Sequence, residues 1–157
     1  MTAVRSNTPP DASDSPQHQR TRILTTLVTG RSVIERENRI LHSIQAQHAS
    51  AAGASPHLPH GQPGQTLCTA VILEGLPHGQ DLFADQATIQ STRIAAACPC
   101  CIGNLTMRVT LNRVLRQHPE RLYISLANDT HLAQFREFLA SPPYDAWLEL
   151  TGDLVAA

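Results

Sequence analysis

The sequence predicts an α/β fold, a three-layer sandwich in which a mostly parallel β-sheet carries helices on both faces. The first observation is that short, β-branched apolar runs alternate with segments whose apolar residues recur at helical spacing. The second is that glycine, proline or asparagine residues separate these segments. The third is the length of 157 residues with 41% hydrophobic residues, which suits one globular domain with its own core.

The first predicted elements follow a polar tail. Residues 1–20 are rich in proline, serine, aspartate and glutamine, so we expect a disordered segment there and a single domain over 21–157. The β-branched run 23–29 predicts a buried strand that ends at Gly30. A helix that ends near His48 should follow. Its face consists, with one polar interruption, of Val33, Ile34, Glu37, Ile40, Leu41 and Ile44.

The middle of the chain predicts two further strands. The stretch 50–65 is rich in proline and glycine and should be irregular. Residues 67–73 then form a second buried-strand pattern, and we expect Cys68 to pack within it. The segment 74–81 has the composition of a turn, and residues 88–96 predict a third strand.

The last third of the chain alternates helix and strand. A helix is predicted near 104–117 and strands at 121–127 and 146–150, with Asn128 or Asp129 as the cap of a helix between them. The order β-α-β-β-α-β-α-β favours parallel strands joined by crossover helices. The apolar residues of the two helices are Leu105, Met107, Val109, Leu111, Val114 and Leu115 in the first, and Leu132, Phe135, Phe138 and Leu139 in the second.

Composition excludes several classes of partner. The formal net charge is −1, from 12 basic and 13 acidic residues, and no basic stripe is present, so nucleic acid is not expected as a partner. No apolar run approaches the ~20 residues of a membrane span, and residues 1–20 contain no apolar core of a secretory signal. Three of the four cysteines lie within four positions, which is unlike a disulfide framework. We therefore expect a cytoplasmic protein.

A cysteine cluster is the main candidate site. Cys98, Cys100 and Cys101 lie where a predicted strand passes into a predicted helix, and crowded thiolates suit zinc or another soft metal ion. The alternative is that three small thiols fill a tight buried turn. A fourth ligand could be water or a histidine, with His57, His60 and His78 as the candidates, whereas His131 is expected at the surface.

Three segments resemble the CobW family of P-loop metal-trafficking GTPases. Residues 97–101, Ala-Cys-Pro-Cys-Cys, are similar to the family's Gly-Cys-x-Cys-Cys metal motif. Residues 73–81 match its switch segment at Glu74, Gly79 and Asp81, and residues 24–30 resemble the strand that enters its P-loop. The resemblance covers the nucleotide-binding domain and not the smaller C-terminal domain. It implies a P-loop-NTPase-like fold and a role in metal handling.

The phosphate-binding loop departs from the family's pattern. In G-x-x-x-x-G-K-[ST], backbone amides cradle phosphates, lysine neutralises them and the hydroxyl holds magnesium. Counted from Gly30, the second glycine becomes Glu35, the lysine Arg36 and the hydroxyl residue Glu37. The family's Glu-Thr-Ser-Gly after the fourth strand becomes Ser-Leu-Ala-Asn at 125–128. We therefore expect no GTP hydrolysis and no wide phosphate loop after Gly30.

Three functions follow from these features. The first is a pseudo-GTPase that binds or delivers a transition metal, zinc above all, through Cys98, Cys100 and Cys101. The second is a GTP-binding metallochaperone with an atypical loop, in which Gly30 and Arg36 contact nucleotide and Glu74 or Asp81 holds magnesium. The third is a non-catalytic partner that docks on an intact paralogue or on a metalloprotein client.

Overall fold

Six strands of the described residues form a parallel sheet at the centre of the fold, as predicted for an α/β protein. The computed structural model describes residues 21–52, 68–96 and 105–156. The strands are β1 (Ile23–Gly30), β2 (Thr69–Glu74), β3 (Ile89–Ile94), β4 (Arg121–Ser125), β5 (Leu148–Leu150) and β6 (Leu154–Ala156). The helices are α1 (Val33–Ala52), α2 (Leu105–Leu115) and α3 (Leu132–Leu139), with a 3-10 turn at Tyr144–Ala146.

Strand β1 lies inside the sheet with neighbours on both sides. The order is β3-β2-β4-β1-β5, and β6 also pairs with β1, so that β5 and β6 follow one another along the same side of β1. Every pairing is parallel; Thr26 lies opposite Tyr123, for example, and Val71 lies opposite the same residue from the other side. The carboxyl ends of β1, β4 and β2 therefore meet at one edge of the sheet.

Two apolar cores, one on each face of the sheet, make the three layers. On one face α1 places Ile40 and Ile44 against residues of β1, β2 and β4 such as Tyr123. On the other face α2 and α3 supply Leu111 and Phe135, among others, to a larger core. All six residues of β2 are buried, because a parallel strand with a helix layer on each face leaves neither side to solvent. This arrangement is compatible with a P-loop-NTPase-like fold.

Several predicted boundaries require correction. Helix α1 continues to Ala52, past the predicted end near His48, because residues 49–52 are alanine and serine and contain neither proline nor glycine. Cys68 is exposed and precedes β2, so it does not pack within that strand. Strand β6 was not predicted, since three residues are too few to show a periodic pattern. Residues 1–20 and 53–67 lie outside the described residues.

Two predictions about helices α2 and α3 were wrong in detail. In α2, Leu105 and Val109 are exposed, whereas Thr110 joins the buried side with Met107 and Leu111. At 100° per residue, Leu105 and Val109 lie opposite Met107 and Leu111, so one helix face cannot bury all four.

The N-cap of α3 is His131 without a side-chain capping bond, and not the predicted Asn128 or Asp129. Asn128 instead accepts the Thr130 N–H in a local turn, at 3.2 Å from Oδ1 to N. None of the helices in the described ranges is both long and apolar enough to cross a bilayer.

Candidate functional site at the carboxyl edge of the sheet

The carboxyl edge is where ligands bind in most open α/β sheets. Here the ends of three neighbouring strands, at Gly30 of β1, Ser125 of β4 and Glu74 of β2, face the first turns of α1. A P-loop protein would hold phosphate at this place, between the first strand and the helix that follows it. The residues found at this edge therefore decide what the domain is able to bind there.

The connection from β1 to α1 consists of Arg31 and Ser32 alone. Ser32 and Glu35 form a capping box: the Glu35 N–H donates to Ser32 Oγ and the Ser32 N–H donates to Glu35 Oε2, each at 3.1 Å. The helix thus begins three residues before Arg36, and no wide loop follows Gly30, as the sequence predicts. The Glu35 carboxylate takes up one of the N–H groups that a helix terminus would offer to an anion.

Arg36 fills the crevice between the strand ends. The residue is only 2% exposed. Its Nε donates to Ser125 Oγ at 2.9 Å, Nη1 donates to the Gly30 carbonyl at 2.8 Å, and Nη2 donates to the Glu74 carbonyl at 3.2 Å. One guanidinium therefore joins the carboxyl ends of β1, β4 and β2, and each of its three nitrogens is engaged by the protein itself.

Burial affects the ionisation of Arg36. Desolvation lowers the pKa of its guanidinium below the usual value, and the carboxylates of Glu74 and Glu37 act in the opposite direction. Arginine has the highest intrinsic pKa of the basic side chains, so it is the one best able to remain charged in such a place. The acidic neighbours compensate the buried positive charge.

Glu74 and Asp81, the predicted magnesium ligands, have different environments. Glu74 is the last residue of β2 and is buried, and its Oε2 accepts the Ala127 N–H at 2.8 Å. Glu74 therefore belongs to β2 and not to the turn predicted over 74–81. Asp81 lies in an exposed turn, where Oδ1 accepts the Phe83 N–H at 2.9 Å. Their role as magnesium ligands stays a prediction.

Glu37 and Arg93 extend the buried charges toward β3. Arg93 Nη2 donates to Glu37 Oε1 at 2.7 Å, and Glu37 is 4% exposed. Two arginines and two glutamates, Arg36, Arg93, Glu37 and Glu74, thus balance one another near this edge. The cluster was not predicted from the sequence. The residue that could have indicated it is Glu37, because an acidic side chain on an otherwise apolar helical face needs a buried positive partner.

Gly30 is required by packing against β6. A Cβ atom at this position would lie 2.7 Å from Ala156 Cβ, 3.0 Å from the Ala156 carbonyl oxygen and 3.2 Å from Arg36 Cγ. Such approaches are too close for any side chain. The absence of a side chain at Gly30 is therefore explained by strand packing, without a bound phosphate.

The predicted metal ligands fall largely outside the described residues. Cys98, Cys100 and Cys101 belong to the segment between β3 and α2 that the structure does not describe, and His57 and His60 precede β2 in another such segment. His78 is exposed in the turn after β2, and His131 is half-buried at the start of α3. Within residues 21–52, 68–96 and 105–156, no three cysteine, histidine or acidic side chains form a group that could hold a metal ion.

Comparison with known proteins identifies one kind of relative. Over 74 residues the chain is 36% identical to the zinc chaperone YeiR of Escherichia coli (strain K12), and the aligned region covers 46% of this chain and 22% of that protein. The chain thus spans about a fifth of the length of the curated relative that it matches. No protein-family model matches the chain. No solved structure matches it significantly.

Proposed function

We propose that this domain binds or delivers zinc through Cys98, Cys100 and Cys101, and that it does so without hydrolysing GTP. The observation that carries the metal part is the 36% identity over 74 residues to a zinc chaperone. The donor set agrees with this, because thiolates are preferred zinc ligands. Metal handling is also what the resemblance to the CobW family implies.

The number of ligands favours transfer over permanent storage. Two thiolates neutralise a zinc dication, and a third leaves one net negative charge on the site. Structural zinc sites have four protein ligands, whereas three protein ligands leave a position open to water or to a ligand from another molecule. Zinc is then the cargo of the domain, and the open position is where a client protein would take over coordination.

Loss of nucleotide binding is supported by the filled carboxyl edge. Each of the three Arg36 nitrogens already donates to Ser125, Gly30 or Glu74, so the guanidinium would have to break these hydrogen bonds to turn toward a phosphate. The Glu35 carboxylate lies at the start of α1, where a phosphate would approach. At an effective dielectric near 20, two like charges ~4 Å apart repel by about 4 kcal/mol, or roughly a thousandfold in affinity.

The metal part is tested by the zinc content of protein purified without a histidine tag. We expect about one zinc ion per chain in the wild type and none in the triple variant Cys98→Ser, Cys100→Ser, Cys101→Ser. Cys68→Ser is the matched control, since Cys68 is an exposed free thiol, and it should retain the zinc. A triple variant that binds zinc as tightly as the wild type would show that these cysteines are not the site.

The nucleotide part is tested by calorimetric titration of the same protein with magnesium and GTP. We expect no binding tighter than about millimolar, given the estimated repulsion. Micromolar binding would instead favour the GTP-binding metallochaperone, with Glu74 or Asp81 as the magnesium ligand. A wild-type protein that binds neither zinc nor GTP would leave the non-catalytic partner as the function.

A further inference from the structure

A cavity of about 550 Å³ lies at the opposite, amino edge of the sheet. Its wall is made by the starts of β1, β2 and β4, by the last turns of α1 and by the chain around the 3-10 turn. Cavities of about 300–1,000 Å³ are the usual size for small-molecule sites. Nothing in the proposed zinc function uses this cavity.

One side of the cavity is aromatic. Trp147 and His118 both line it, and their ring centres are 5.6 Å apart with an angle of 34° between the ring planes. His118 has a φ of 50°, in the left-handed region that is unfavourable for a residue with a side chain. Its N–H donates to the Leu115 carbonyl at 3.1 Å, which ends α2. The strained backbone at His118 therefore lies directly beside the cavity.

The rim of the cavity carries guanidinium groups. Arg22 and Arg121 both line it. Arg22 Nη2 lies 3.8 Å from Glu149 Oε2, and both side chains are about half exposed. Such an ion pair is weak. Within the described part of the chain, no side-chain hydrogen bond or ion pair engages Arg121. Glu120 is the one acidic residue among those that line the cavity. The two guanidinium groups, which can donate hydrogen bonds to an anion, therefore outnumber the single carboxylate that would repel it.

A metal ion does not fit this cavity. His48, His118 and Glu120 line it, but the described residues contain no group of three potential ligands close enough to hold one ion. An aromatic surface together with two guanidinium groups suits a planar ring that carries an acidic group. The ring stacks on the indole, and the acidic group accepts hydrogen bonds from the arginines.

We propose that the amino-edge cavity binds a small organic anion with an aromatic ring, the ring lying against Trp147 and the anionic group against Arg121 and Arg22. The proposal is independent of zinc and of the cysteine cluster. It places a ligand site at the edge of the sheet where open α/β proteins rarely have one.

Trp147 allows a direct test, because it is the only tryptophan in the chain. The probe is anilinonaphthalene sulfonate, an aromatic anion, and phenylnaphthylamine is its uncharged analogue. We expect the sulfonate to quench Trp147 fluorescence with one-to-one stoichiometry. Arg121→Gln should weaken this binding about tenfold, the effect of losing roughly one charge-assisted hydrogen bond. Arg22→Gln should also weaken the binding of the sulfonate. Because Arg22 is exposed, this substitution is not expected to disturb folding.

The control variant is Arg39→Gln, an exposed arginine of α1 that does not line the cavity, and it should leave the affinity unchanged. Absence of quenching by the sulfonate would overturn the proposal. Equal affinities of the charged and uncharged probes, or unchanged affinity in both Arg121→Gln and Arg22→Gln, would also overturn it. In those cases the cavity would be apolar space without an anion site.

Discussion

The two edges of the same parallel sheet differ in how their crevices are filled. At the carboxyl edge, where ligands usually bind, the side chain of Arg36 occupies the crevice and its hydrogen bonds end on the protein. At the amino edge, a cavity of about 550 Å³ remains open beside Trp147. Both edges carry arginines, but Arg36 lies buried in the carboxyl-edge crevice, whereas Arg22 and Arg121 line an open cavity at the amino edge.

The difference shows that a fold fixes where a crevice forms and not whether it receives a ligand. The parallel strands must end together at Gly30, Glu74 and Ser125, and this leaves carbonyl and hydroxyl groups to be satisfied. In a P-loop protein, a bound nucleotide and the lysine of the P-loop lie at this edge. Here the guanidinium of Arg36 lies at this edge and donates to the Ser125 hydroxyl and to the carbonyls of Gly30 and Glu74.

The largest effect should follow from emptying the filled edge. Arg36→Ala removes three hydrogen bonds and takes a positive charge away from the buried carboxylate of Glu74, while Glu37 keeps its ion pair with Arg93. We expect the free energy of unfolding to fall by about 3–5 kcal/mol, because three acceptors at the strand ends lose their hydrogen bonds to a charged donor. Urea-induced unfolding measures this. Arg39→Ala, on the exposed side of the same helix, should change it by less than about 0.5 kcal/mol. A similar small loss in Arg36→Ala would mean that the guanidinium is not essential to this edge.

A smaller effect should follow from crowding the same edge. Gly30→Ala places a methyl group 2.7 Å from Ala156 Cβ, so β1 and β6 must move apart. We expect a loss of about 1–3 kcal/mol, the usual cost of overpacking. Gly152→Ala is the matched control, because no atom lies within 4 Å of its added Cβ. Equal thermal unfolding temperatures of the two variants would contradict the packing role of Gly30.

The smallest effect should come from the helix start that borders the filled edge. Ser32→Ala removes the acceptor of the Glu35 N–H and breaks the capping box. We expect a loss of about 1 kcal/mol, the typical value for an N-cap. Ser50→Ala makes the same exchange at an exposed position in the last turns of α1 and should not destabilise the protein. Equal unfolding free energies of the two variants would show that the cap is unimportant here.

Most of the fold was predictable because its signals are local. The apolar β-branched runs at 23–29 and 121–127 correspond to β1 and β4, and the helical spacing after Gly30 corresponds to α1. Strand β6 was missed because it owes its existence to pairing with β1 and not to its own three residues. Local pattern alone does not reveal such a strand.

The filled edge was predictable only in part. The replacement of lysine by Arg36 is visible in the sequence, but periodicity treats an arginine as a surface residue. Its partners Glu74 and Ser125 are 38 and 89 positions away along the chain, so no local signal connects them. The amino-edge cavity was not predicted at all. Its lining comes from the ends of several elements that are far apart in the sequence, so no local pattern connects them.

The place of β1 inside the sheet has a consequence for synthesis on the ribosome. β1 is made first among the strands, but its neighbours are β4 on one side and β5 and β6 on the other. Roughly 90 residues separate Gly30 from Arg121, and at about 5–20 residues per second the ribosome needs about 5–18 s to make them. During this interval β1 lacks the strands that flank it in the sheet, although α1, which packs on one of its faces, is already made. The nascent chain is therefore exposed to aggregation and to chaperones until its last strands emerge.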